Sequence, residues 1–133
     1  MNEALPEGAR DPVGAITAFV SVWNGHDMTG LGELFTEGAV WVPVFESRLD
    51  GREAIVADFK QIHDDWAGDT TIAISDVEPR LVAPHVAVVT FKTAFMGDGQ
   101  PVPGAGRAMM LTVVREGLVW RIAAGQVTKP EAG

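Results

Sequence analysis

The chain has 133 residues, enough for one domain with a real core and too few for two. Ten basic residues against 18 acidic ones leave a formal charge of −8, so phosphate backbones and anionic membranes are poor partners. With no cysteine and no tyrosine, disulfides, thiolate nucleophiles, cysteine-ligated metals and phenol donors are all excluded.

Residues 1–10 read as a flexible leader. They lack the basic and apolar runs of a signal peptide, and no stretch of the chain is apolar for long enough to span a bilayer, so a cytoplasmic protein is expected. Asp11-Pro12 opens a first helix: Asp accepts the orphan amides of the first turn, and Pro at the first helical position forfeits no hydrogen bond. Ile16, Phe19, Val20 and Trp23 follow at helical spacing, and Gly25 ends the run. Asp27 reads as the cap of a second, short helix carrying Leu31, Leu34 and Phe35, which Gly38 stops. Residues 39–45 form a strand that Pro43 interrupts, and Asp50-Gly51 is a turn. A third helix runs from about 52 to 66, with Ile55, Phe59, Ile62 and Trp66 on one face and Arg52, Val56 and His63 on its flank.

After Gly68 the period changes to two. Strands are predicted over 70–78, 85–95, 107–115 and 118–128, with a Gly/Pro-rich connection over 97–106 that reads as a loop over a pocket. The domain therefore spans 11–128, with 129–133 as a tail. Three helices, with one strand inserted, and then four antiparallel strands argue for an α+β fold with the helices on one face of a curved sheet. The last two strands form a hairpin around Glu116-Gly117 or Gly117-Leu118. Either turn places Met109, Leu111, Val113, Trp120, Ile122 and Ala124 on one face, which is assigned to the helices. Arg107 and Gln126 extend that face, either to orient a ligand carbonyl or carboxylate or to stand idle at a wet edge. The opposite face, with Met110, Thr112, Val114 and Val119, is also apolar, and a second copy of the chain is its simplest cover.

Trp23-Asn24-x-x-Asp27, Leu31, Leu34-Phe35, Gly38-Ala39-Val40-Trp41 and Gly51-Arg52-x-Ala54-Ile55 resemble the SgcJ/EcaC-type branch of the SnoaL-like proteins. So do Leu111-Thr112-Val113-Val114-Arg115 and Trp120-Arg121-Ile122-Ala123-Ala124-Gly125-Gln126. These proteins belong to the nuclear transport factor 2-like superfamily. The resemblance implies a cone-shaped fold, in which a curved antiparallel sheet wraps round three N-terminal helices, and it implies a homodimer. It also implies a hydrophobic small-molecule ligand, a polyketide or enediyne-type intermediate of natural-product (antibiotic) biosynthesis. Where many relatives carry a histidine in the third helix, this chain has Phe59.

His63 and Asp76 are the acid/base candidates. An imidazole on the flank of an inward helix face is placed for proton transfer near neutral pH, or it pairs with Asp58, Asp64 or a carbonyl. Asp76 follows Ile72 and Ile74 on one strand face, where it is either a buried base or a strand-end carboxylate in water. Trp23, Trp41, Trp66 and Trp120, with Phe59, Met109 and Leu111, are the candidate apolar walls. No histidine has a partner at metal-ligand spacing, and no phosphate-binding glycine motif precedes a helix, so neither metal nor cofactor is expected. The chain is then either a cofactor-free isomerase, cyclase or dehydratase, or a non-catalytic carrier that shields a reactive intermediate.

Overall fold

The computed structural model describes residues 10–26, 28–44, 47–65, 67–102 and 106–129. The expected cap Asp27, the ligand candidate Trp66, most of the leader and most of the tail lie outside the described residues.

Helix α1 spans Pro12–Gly25. Asp11 caps it by accepting from the Gly14 amide at 2.6 Å, and His26 closes it in the left-handed region (φ 58°), donating its amide to Trp23 O. Its buried stripe is Ala15, Ile16, Phe19 and Trp23. Helix α2 spans Arg52–Asp64 and buries Ile55 and Phe59. Between them the expected second helix is corrected to two single 3₁₀ turns, Met28–Gly30 and Gly32–Leu34. Gly30 and Gly32 lie two residues apart, and glycine's backbone freedom makes a continuous helix too costly over so short a segment. The apolar residues assigned to that helix still reach the core, since Leu31 and Phe35 are fully buried.

The sheet comprises β1 (Phe35–Val42), β2 (Leu49–Asp50), β3 (Thr71–Ala83), β4 (Val86–Gly97), β5 (Gln100–Pro101), β6 (Arg107–Glu116) and β7 (Val119–Thr128). Its order is β2-β1-β7-β6-β4-β3, with β5 paired to β4. The expectation of a wholly antiparallel sheet is corrected in one place: β1 runs parallel to β7. Hairpins fix the directions of β3, β4, β6 and β7. β1, separated from them in sequence by α2, has no tight turn to set its direction. Pro43 lies just past the end of β1, where its missing amide costs no ladder bond.

Two irregularities re-aim side chains. The β6–β7 turn is Gly117-Leu118, but between Thr112 and Val113 the register shifts, so Thr112 opposes Ala124 while Val113 opposes Ile122. Ala123 is the extra residue, and beyond it Gly125 and Val127, not Ala124 and Gln126, turn inward. In β3 the register shifts between Ser75 and Glu78 around Asp76, whose φ is +54°. Val77 takes the inward place and Asp76 is thrown outward, its side chain 65% exposed.

The core lies between the helices and the inner face of the sheet, where Phe19, Phe35, Ile16, Leu31, Ile55 and Leu111 are fully buried. Two polar side chains tie the helices to the sheet. The Asn24 amide donates to Ile72 O at 3.1 Å and accepts from Ile72 N at 2.7 Å, fixing α1 on β3. Arg52 donates twice to Phe35 O, at 3.2 and 2.8 Å, fixing α2 on β1. Both residues belong to the motifs that carry the family resemblance, and both fix a helix on the sheet.

Candidate functional site

A cavity of about 490 Å³ opens between α1, α2 and the inner face of the sheet. Its aromatic walls are Trp23 and Phe19 from α1, Trp41 from β1, Phe59 from α2 and Phe95 from β4, with Met109 of β6 on the sheet side. Phe59 is the hub of these rings: its centroid is 5.3 Å from Trp41, 5.5 Å from Trp23 and 6.0 Å from Phe19, mostly edge to face. Four polar side chains interrupt the apolar wall, namely Ser47 just before β2, Asp58 of α2, Thr93 of β4 and Arg107 of β6. Size, apolar lining and a few convergent polar groups are the features of a small-molecule site.

The structure thus brings Trp23, Trp41, Phe59, Arg107 and Met109 together on one cavity. Other candidates stand elsewhere. Leu111 is fully buried and Trp120 nearly so, and neither borders the cavity, so both are core. Gln126 does not join Arg107, because the bulge at Ala123 turns it to the outer face opposite Met110. Asp76 is likewise on the outer face, paired with Lys92 at 3.4 Å and bordering an open groove of about 510 Å³ with Glu78, Thr90, Met110 and Gln126.

His63 packs on Trp23, with ring centroids 4.4 Å apart, and does not border the cavity. Its Nδ1 lies 3.2 Å from Nδ1 of His26, so one ring donates and the other accepts. The pairing with Asp58, Asp64 or a carbonyl is replaced by this imidazole pair. Burial lowers the His63 pKa below its ordinary 6.5, the neighbouring His26 pushes it the same way, and Asp64 opposes. Above about pH 6.5 the ring is neutral in both folded and unfolded chains, and its stabilising contribution is fully present. As pH falls through that value the unfolded chain takes up a proton that the folded chain resists, so stability is lost. Melting curves between about pH 7.5 and 5.5 should therefore fall less steeply for His63→Gln than for the wild type. Parallel curves would assign the acid sensitivity to other groups.

Asp58, named from sequence only as a partner for His63, and Thr93 were not assigned to the cavity, yet each carried a signal. Asp58 is three residues after Ile55 and four before Ile62, on the same helix stripe. Thr93 alternates with Val89, Phe91 and Phe95 on one strand face.

The family profile of the SnoaL-like domain matches residues 16–129. The chain belongs to the SnoaL-like domain family. No curated protein matches this SnoaL-like chain. Among solved structures it is similar to an uncharacterised protein with a cystatin-like fold from Caulobacter vibrioides, at 25% identity and TM-score 0.79, covering 88% of this chain and 85% of that one. A protein from Novosphingobium aromaticivorans, described as NTF2-like with a cystatin-like fold, has 19% identity and TM-score 0.75 over 90% and 79% of the two chains. Aln2 from a Streptomyces species has 16% identity and TM-score 0.76 over 86% and 84%. These likenesses place the SnoaL-like chain in the nuclear transport factor 2-like, cystatin-like fold. Among its described residues no helix is long and apolar enough to cross a membrane.

Proposed function

We infer that this protein binds a flat, hydrophobic small molecule in the cone cavity. The observation that carries this reading is the ring of Trp23, Trp41 and Phe59 around a space of about 490 Å³, room for a fused aromatic or short polyene. Resemblance to the SgcJ/EcaC-type branch refines the ligand to a polyketide or enediyne-type intermediate. Binding is the part of the reading that the geometry supports; for cofactor-free proton transfer, His63 lies against Trp23 and Asp76 is outside, which leaves Asp58, among the described residues, as the carboxylate on the cavity wall. Such a protein would carry or shield a reactive conjugated molecule. N-phenyl-1-naphthylamine, a neutral fluorescent aromatic, tests the reading. Trp41→Ala should weaken its binding about tenfold. Loss of stability with unchanged probe affinity would make Trp41 plain core and count against a ligand held on the Trp41 wall.

A second copy of the chain is the proposed cover for the outer sheet face. Met110 is 47% exposed there, next to half-buried Thr112 and Val114 on a face left open among the described residues. Light scattering at tens of micromolar should give a dimer, and Met110→Asp should shift it toward monomer. A monomeric wild type at that concentration would count against the pairing.

A further inference from the structure

The sheet wall of the cavity carries a polar pair that packing alone does not explain. Thr93 on β4 and Arg107 on β6 are directly opposite each other in the antiparallel ladder, and both border the cavity. Opposite residues of such a ladder share a face with Cβ atoms about 5 Å apart, so both side chains leave the sheet toward the cavity. Thr93 is 5% exposed, and its Oγ1 has no hydrogen-bond partner among the described residues. An unsatisfied buried hydroxyl weakens the fold, and valine would fill the same shape without that penalty. A 120° step about χ1 carries the threonine hydroxyl to the place of its methyl and the methyl to that of the β-hydrogen, which would bring the hydroxyl to an incoming acceptor without moving the strand.

Arg107 donates through Nη1 to Gly106 O at 2.8 Å. A guanidinium has five N–H donors, so it can serve a backbone oxygen and a ligand oxygen together. Among the described residues that border the cavity, Asp58 is the one carboxylate and Arg107 the one cation, so their formal charges cancel. That balance favours a neutral ligand, since an anion would gain from Arg107 and lose against Asp58.

We propose that Thr93 and Arg107 form a two-donor clamp for the carbonyl oxygen of a neutral aromatic or conjugated ligand. The ligand class is then an apolar ketone or comparable carbonyl compound, not a pure hydrocarbon and not a carboxylate. The inference rests on the binding reading above and adds its chemical class.

Three probes of one shape test it on the full chain by calorimetry: 2-acetylnaphthalene, 2-ethylnaphthalene and 2-naphthoate. The ketone should bind more tightly than the carboxylate. Thr93→Val should weaken the ketone about tenfold, as loss of one buried hydrogen bond does, and change the hydrocarbon by less than about twofold. The same variant should melt at the wild-type temperature or above it, because the orphan hydroxyl is gone, and Thr93→Ser should restore most of the ketone affinity. Thr93→Val with unchanged ketone affinity overturns the clamp, as does naphthoate binding as tightly as the ketone. In both cases hydrocarbon binding leaves the cavity's role standing. Failure of all three probes to bind overturns the cavity's role and the clamp with it.

Discussion

Gly125→Ala is expected to destabilise the protein by about 3 kcal/mol, at the upper end of the usual cost of overpacking. Gly125 sits on the inner face of β7 between two tight neighbours, opposite Leu111 in the antiparallel ladder and opposite Trp41 in the parallel one. A Cβ there would collide with the six-membered ring of Trp41 and stand 2.8 Å from Leu111 Cδ2. Trp41 has little room to retreat, because Phe35 and Phe59 meet its ring edge to face, at 5.9 and 5.3 Å, and Phe19 packs against it at 6.0 Å. For a chain of this size the loss should appear as a fall of roughly 10 °C in melting temperature. Adding Trp41→Phe, which removes part of the obstructing ring, should recover some of that fall. A Gly125→Ala protein that melts with the wild type would show that β7 lies farther from Trp41 than the packing requires.

That glycine also marks the limit of what the sequence made legible. Period-two alternation located β6 and β7, and it placed Met109, Leu111, Val113, Trp120 and Ile122 on the buried face. It failed beyond Ala123, because a bulge inserts one residue without a compositional mark and inverts every side chain that follows. Gln126 was misplaced for that reason, and the inward approach of Gly125 to Trp41 went unread. Asp76 failed in the same way, at a second shift of register in β3. The α1 and α2 stripes were legible, since 3.6-residue periodicity is local and needs no partner strand. The parallel β1–β7 pairing was hidden because it joins segments some 80 residues apart with no turn between them to read. Of the aromatic wall, Trp23, Trp41 and Phe59 were legible from two helices and one strand, whereas Phe19 and Phe95 were not assigned to it and Trp120 was assigned to it although it is core. The polar members Asp58 and Thr93 lay on the same stripes, but a lone helix carboxylate and a strand threonine carry no chemical mark of their own.

Phe59→Ala is expected to cost about 4 kcal/mol, within the range for truncating a buried aromatic. The phenyl ring is 3% exposed and touches rings from two other elements: Phe19 and Trp23 of α1, and Phe35 and Trp41 of β1. Removing it deletes the aromatic contacts of α2 with α1 and β1 and leaves Ile55 as its buried anchor, so the Arg52 bonds to Phe35 O then have to hold α2 on β1 with less packing behind them. Because Phe59 also borders the cavity, the truncation enlarges the binding space where the ring stood. Two measurements separate its roles. If Phe59 is both keystone and wall, urea midpoint and N-phenyl-1-naphthylamine affinity fall together, and Phe59→Leu recovers most of the stability but less of the affinity, since leucine fills volume without offering a flat face. If Phe59 is keystone alone, Phe59→Leu restores both. An alanine variant within about 1 kcal/mol of the wild type would contradict the packing itself. A buried ring with aromatic neighbours on two sides is removed at so small a cost only if the helix collapses onto the space, and the cavity measured by probe binding would then shrink.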